Sequence, residues 1–324
     1  MEVKVGIIGY GNLAKGVEEA VLKSKDLKLV EVFSRRDGLK TVHGKEIKNI
    51  NQLSKYIGLI DVMILCGGSA TDLPEQTHLI AKDFNVVDSF DTHAKIPEHF
   101  EKLNNVAMQS GKLGCISVGW DPGLFSIARL LFQSFLPSGE TYTFWGKGVS
   151  QGHSDAIRRV SGVKRGVQYT IPIEAALNAV RELTNPKFTA RDKHLRECYV
   201  VAEDGADKAK IEQEIKNMPN YFSDYNTIVH FISEEEFEKN HTKMPHGGLV
   251  LRSGETNDDE YKYLLELNIK LDNNPGFTGS VLAAYARAIA KMNKLGQKGA
   301  VTAFDIPLGM LSELDPADLR KNLL

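Results

Sequence analysis

The string "VKVGIIGYGNLAKG", residues 3–16, constrains the fold more than any other part of this 324-residue chain. A short β-branched run ends in Gly9-Tyr10-Gly11-Asn12-Leu13-Ala14, a GxGxxA pattern, and a helical pattern over 12–24 follows at once. Glycines at the first and third places permit a tight turn and close backbone approach, and the helix start offers free N–H groups and a positive dipole end to a pyrophosphate. The string alone is weak, but the strand before it, the helix after it and a second strand, "LKLVEVF" (27–33), supply the context that the motif requires.

The pattern continues through "DVMILC" (61–66), "FNVVDSF" (84–90) and "GCISVG" (114–119) as strands, with "PEQTHLIAKDF" and "PEHFEKLNNVAMQSG" as helices between them. Such alternation predicts an α/β, Rossmann-type doubly wound parallel sheet over residues 1–122. "DPGLFSIARLLFQSFLP" reads as a helix with Pro122 in its first turn. From about Thr141 longer strands appear, among them "TYTFWG", "ECYVVAE", "TIVHFIS", "GLVLRSG" and "YKYLLELNIKL", so residues 123–274 are expected to form a second, α+β domain with a mixed or antiparallel sheet. An Ala-rich helix and an apolar tail, about 275–324, are expected to pack back on the first domain.

Where NAD-binding folds usually place an acid for the adenosine ribose, this chain has Ser34, Arg35 and Arg36. An acid would repel a 2′-phosphate, whereas guanidinium groups offer planar donors matched to its oxygens, so NADP is favoured over NAD. A solvated surface pair is the ordinary reading of two arginines in a loop; their place relative to the glycines favours the cofactor. The loop "LCGGSATDLPEQ" adds Gly67, Gly68, Ser69 and Ala70 as candidate cofactor contacts at the carboxyl edge of the sheet.

The next two strands end in "DSFDTH" and "GWDPG", placing Asp88, Asp91, Trp120 and Asp121 on the rim where open α/β sheets bind ligands. Each Asp taken singly is more often a helix N-cap, above all Asp121 just before Pro122. Acids on adjacent loops make a shared cationic ligand the stronger reading. In the second domain, Trp145, Gln151, Arg196 and His246 receive no function from spacing alone.

Composition narrows the class. With 40 Lys and Arg against 42 Asp and Glu, the chain lacks the basic excess of a nucleic-acid binder. Three cysteines without CxxC spacing and nine histidines without HExxH spacing give no disulfide framework or metal site. No apolar run is long enough for a membrane helix, and the chain opens on its first strand without a leader pattern, so a soluble cytoplasmic protein is expected.

Taken together, "GYGNLAKGVE", "FSRR", "LCGGSATDLPEQ", "SVGWDPGLFS", "TFWGKGVSQGHSDAIRRVSGV", "VQYTIP" and "MPHGG" resemble the meso-diaminopimelate dehydrogenase family nearly end to end. The resemblance implies a bacterial cytoplasmic homodimer that uses NADP to oxidise and deaminate the D-configured carbon of meso-2,6-diaminopimelate. The products are L-2-amino-6-oxopimelate and ammonia, and the reverse reaction feeds lysine and cell-wall precursor synthesis. Residue by residue, it implies NADP contacts from Tyr10, Gly11, Asn12 and Leu13 and from Ser34, Arg35 and Arg36. Asp91 and Asp121 would face the D-centre amine, one of them assisting proton transfer, with Trp120 beside them. Trp145, Gln151 and Gly152 would line the pocket, and Thr170, Arg196, His246 and Asn274 would hold the distal L-centre. Some relatives have a further acid where this chain has Lys95, so nothing is assigned there. The competing readings are another NADP-dependent oxidoreductase, related to homoserine dehydrogenase or dihydrodipicolinate reductase, and an NADP-sensing regulator without a diamine pocket.

Overall fold

The computed structural model describes residues 2–257 and 260–324. The backbone forms two compact units, one made by the residues up to Ile127 together with Pro275–Leu324, the other by Ala128–Asn274.

In chain order the first unit begins with β1 (Val3–Ile8), α1 (Asn12–Lys23), β2 (Leu27–Ser34), β3 (Lys48–Asn49), β4 (Val62–Leu65), α2 (Leu73–Ile80), β5 (Asn85–Asp88), α3 (Ile96–Ser110) and β6 (Leu113–Cys115). α4 (Leu124–Phe135) carries the division between the units. The second unit continues with β7 (Gly139–Trp145), β8 (Gly148–Val149), α5 (Gln151–Arg158), β9 (Val163–Pro172), α6 (Glu174–Arg181), α7 (Ala190–Lys193), β10 (His194–Ala202), α8 (Lys208–Lys216), β11 (Asn226–Phe231), α9 (Glu234–Asn240), β12 (His246–Thr256) and β13 (Tyr261–Leu271). α10 (Asn274–Lys294), β14 (Gly299–Val301) and α11 (Pro316–Leu323) close the chain.

The first unit holds a seven-stranded sheet ordered β14-β6-β5-β4-β1-β2-β3, with every pairing parallel. Parallel strands are covered on both faces, which is why β4 and β5 are buried at every residue and β4 reads as an unbroken apolar run. The order reverses at β1, whose neighbours are β2 and β4, and ligands of such sheets bind in the crevice at the carboxyl ends beside that reversal. β14 adds itself beside β6, so the chain's end completes the sheet. α10 crosses α1 at glycines: a Cβ on Gly16 would lie 2.5 Å from the Pro275 carbonyl oxygen and 2.8 Å from Gly276 Cα.

The β-rich pattern after Thr141 is divided between two sheets. A mixed sheet is ordered β11-β10-β9-β8 and an antiparallel one β13-β12-β7. β9 escapes a reading by alternation because five successive residues, Gly166 to Thr170, are buried, leaving no polar face to mark the period. The structure overturns the expected place of Pro122. This residue does not lie in the first turn of α4, which starts at Leu124; the Asp121–Pro122 peptide is cis and Gly123 has φ +124°. Among the described residues no helix is long and apolar enough to cross a membrane.

Candidate active site

The turn after β1 has the properties of an anion cradle. Gly9 adopts φ +89°, and its N–H donates to Phe33 O at 2.8 Å; an added Cβ would meet the Cys66 carbonyl at 3.2 Å. Gly11, by contrast, faces open space, since a Cβ there meets nothing within 4 Å. Gly11 is also the N-cap of α1 and supplies no side-chain cap. The helix start is therefore open to a ligand with its N–H donors, the arrangement that binds pyrophosphate. Tyr10 turns its hydroxyl inward, donating to buried Glu18 and accepting from Val42 N at 2.7 Å. Burial and Glu18 push its pKa up, which leaves the backbone rather than the phenol for a ligand.

At the end of β2, Ser34 is buried and accepts the Arg36 N–H through its Oγ at 3.1 Å, fixing the turn. Arg35 is exposed, and its Nη2 lies 2.7 Å from Asp72 Oδ1. Asp72 is held in turn by the Gly68 N–H, which donates to its Oδ2 at 2.9 Å. A Cβ on Gly67 would lie 2.7 Å from Asp72 Cβ, and one on Gly68 2.6 Å from Thr71 Oγ1, so both glycines are needed for this loop to fold on itself. The sequence identified Arg35 and the glycines without connecting them through Asp72.

The rim acids have unlike environments. Asp88 is fully buried: it accepts from Thr77 Oγ1 at 2.8 Å, from the N–H groups of Phe90 and Ser117 at 3.0 and 2.9 Å, and pairs with His99 at 2.7 Å. Its lone pairs are taken, so it organises the loops and does not meet a ligand. Asp91 is exposed, and its N–H donates to Ser69 Oγ at 2.8 Å. Ser69 thus joins the loop after β4 to the loop after β5. Trp120 is buried edge-on against Phe125, with ring centroids 5.3 Å apart, and Asp121 follows it. Because α4 starts three residues after Asp121, that carboxylate is not its N-cap.

In the second unit, strand register brings distant residues into one row. Gly148 pairs with Thr170, Thr170 with Arg196, and Arg196 with Thr227. Thr170 and Arg196 are both buried, and Arg196 Nη1 donates to Thr170 Oγ1. The guanidinium carbon sits 3.9 Å from the Tyr225 ring centroid, while its Nε has no hydrogen-bond partner. Burial lowers the Arg196 pKa, yet no carboxylate pairs with it among the described residues. A buried guanidinium remains charged, so it needs an anion from elsewhere.

The other assigned residues of this unit gather beside the row. A Cβ on Gly148 would lie 2.6 Å from His246 Cγ, so the glycine lets that ring approach β8. Met244 O accepts the Asn274 N–H at 3.0 Å, and Met244 Sδ lies 3.4 Å from Gln151 Nε2. Gly152, next in α5, faces open space. The Trp145 N–H donates to His194 Nε2 at 2.9 Å, and the two rings stack at 5.3 Å. His153 accepts from Ser150 Oγ and donates to Tyr221 O at 3.1 Å. Burial and nearby Arg196 press its pKa down to about 4, and His194 is pressed to about 3 by burial, Arg196 and Lys193. His194 and Gln168 each stand two residues before an assigned residue, hence on the same strand face, a period-2 signal that the sequence carried unread.

A family model described as "Diaminopimelic acid dehydrogenase C-terminal domain" matches residues 119–273. The chain is 58% identical to the meso-diaminopimelate D-dehydrogenase of Ureibacillus thermosphaericus, over 100% of this chain and 99% of that one. Among solved structures it is similar to a substituted meso-diaminopimelate dehydrogenase of Clostridium tetani with DAP, at 54% identity, a TM-score of 0.95 and full coverage of both chains. It is also similar to an engineered D-amino acid dehydrogenase bound to NADP+, at 40% identity, a TM-score of 0.88 and full coverage of both.

Proposed function

The chain belongs to the meso-diaminopimelate D-dehydrogenase family, and from that premise we propose how its residues divide the work. The reaction is the reversible, NADP-dependent oxidative deamination of meso-2,6-diaminopimelate at its D-configured carbon, giving L-2-amino-6-oxopimelate and ammonia. The observation within this chain that carries the substrate assignment is Arg196, a buried guanidinium with an unpartnered Nε and, among the described residues, no carboxylate paired with it.

Arg196 takes the distal carboxylate of the diamine, with Thr170, His246 and Asn274 completing the L-centre and Trp145, Gln151 and Gly152 lining the pocket. Asp91 and Asp121 hold the D-centre ammonium beside Trp120, and one of them accepts its proton so that the neutral amine can release hydride. NADP, when bound, supplies the hydride acceptor. Water then adds to the substrate imine, and ammonia leaves the carbinolamine. Holding the L end selects which of the two stereocentres presents its single α-hydrogen to the cofactor, and such positioning supplies the larger part of catalysis when the cofactor carries the redox step.

The cofactor falls to Gly9, Tyr10, Gly11, Asn12 and Leu13 for the pyrophosphate, to Ser34, Arg35 and Arg36 for the 2′-phosphate, and to the loop Gly67–Gly68–Ser69–Ala70. The open N-cap and the space over Gly11 support this reading. The unit built on the seven-stranded sheet is then the NADP-binding domain, and the other unit the substrate-binding and dimerisation domain. Family membership also supports a cytoplasmic homodimer, which light scattering would read as twice 35.9 kDa.

The reaction is tested by absorbance at the reduced-nicotinamide band with NADP and, separately, the meso, LL and DD isomers of diaminopimelate, with NAD as control. Reduction with the meso isomer, favouring NADP, is the expected result. Silence with every isomer by a protein that still binds NADP would sink the substrate reading.

A further inference from the structure

We propose that Gln168 is a positioning residue for substrate, acting through the hydroxyl of Thr170. The inference rests on the assignment of Thr170 and Arg196 to the distal carboxylate and goes one residue beyond it.

Gln168 and Thr170 are two residues apart on β9 and share a face of the strand. The Gln168 side chain is fully buried, and its Nε2 donates to Thr170 Oγ1 at 3.3 Å. The same oxygen accepts from Arg196 Nη1. A hydroxyl has two lone pairs and one proton, so with both lone pairs engaged it can only donate. Thr170 is therefore held as a donor beside Arg196, whose unpartnered Nε–H is a second buried donor. A carboxylate accepts from donors of both kinds, hydroxyl and guanidinium.

Packing alone does not account for a glutamine here. Its Oε1 is buried without a hydrogen-bond partner, a cost that methionine or leucine of similar bulk would avoid. What glutamine offers in exchange is the donor to Thr170. Its backbone is fixed independently, since its N–H donates to Ser154 Oγ at 2.9 Å and its carbonyl accepts from Ser150 N at 3.0 Å, so a side-chain replacement leaves the strand and α5 joined.

The test is steady-state kinetics of Gln168→Met, Thr170→Val and the double variant, with a thermal unfolding curve for each. Gln168→Met is expected to raise KM for meso-2,6-diaminopimelate about tenfold, the effect of one lost buried hydrogen bond, with kcat and KM for NADP unchanged. The double variant is expected to show no more than the Thr170→Val effect, because the glutamine acts through that hydroxyl. Should Gln168→Met fail to fold, Gln168→Leu, of similar bulk and likewise without a donor, is expected to raise the same KM. A normal diamine KM in the foldable Gln168 variant, or effects that multiply in the double, overturns the proposal. If Thr170→Val itself has a normal KM, the Thr170 assignment fails and Gln168's role fails with it. A raised KM in Thr170→Val with a normal one in Gln168→Met removes Gln168 alone.

Discussion

Arg196 and Thr170 face each other across the antiparallel pair β9–β10, joined by a guanidinium-to-hydroxyl hydrogen bond, and among the described residues no carboxylate pairs with the buried charge. Arg196→Met is therefore expected to raise KM for the diamine roughly 10- to 100-fold, the range for losing a charged hydrogen bond, with NADP affinity unchanged. The same change removes a desolvated charge, so the ligand-free protein is expected to be no less stable. Thermal unfolding and substrate titration read the two effects separately; an unchanged KM would remove Arg196 from the site.

Asp91 is exposed with its N–H anchored by Ser69. Asp91→Asn keeps the shape and removes one of the two carboxylates proposed to hold the D-centre ammonium and take its proton, so kcat is expected to fall about 100-fold or more while the NADP dissociation constant stays put. Retained turnover, or equal loss of turnover and NADP binding, counts against its role.

Arg35 and Arg36 stand where an acid would select NAD. Joint replacement by alanine is expected to weaken NADP at least tenfold and NAD little, because only NADP carries the 2′-phosphate. Asp72 orients Arg35, so Asp72→Ala is expected to move the NADP/NAD ratio in the same direction by a smaller factor. Equal losses for both cofactors would make the arginines structural.

Gly16 has no room for a side chain, since a Cβ would lie 2.5 Å from Pro275 O. Gly16→Ala must push α1 from α10, and a loss of roughly 1–3 kcal/mol is expected from overpacking, read by chemical denaturation. An unchanged midpoint would mean that the two helices shift apart without cost.

His153 and His194 are held neutral in the fold, with pKa values of about 4 and about 3, below the roughly 6.5 of a histidine in the unfolded chain. The unfolded state therefore binds more protons below pH 6.5. Their contribution to stability is complete above that pH and falls as pH drops toward 4 and then 3, with a slope approaching about 1.4 kcal/mol per pH unit for each ring. Replacing His194 by glutamine is expected to flatten the loss between pH 6.5 and 4; an unaltered slope would show that this ring is not responsible.

Much of this protein is legible in its sequence because the signals are local. The glycine pattern after β1 and the arginines after β2 lie within 36 residues, and strands buried on both faces appear as short apolar runs. The quoted motifs also carry the family, which the 58% identity to a full-length relative establishes. Tertiary structure alone decided the partnerships between distant residues: Arg35 with Asp72, Asp91 with Ser69, and Arg196 with Thr170. It also separated Asp88, saturated by four hydrogen-bond partners, from Asp91, although both end the same strand-to-loop segment. The reason is physical. Local spacing sets which face of a strand or which turn of a helix a side chain occupies, but the groups that satisfy or orphan a buried polar atom arrive from strands and loops whose register is fixed only when the sheets assemble.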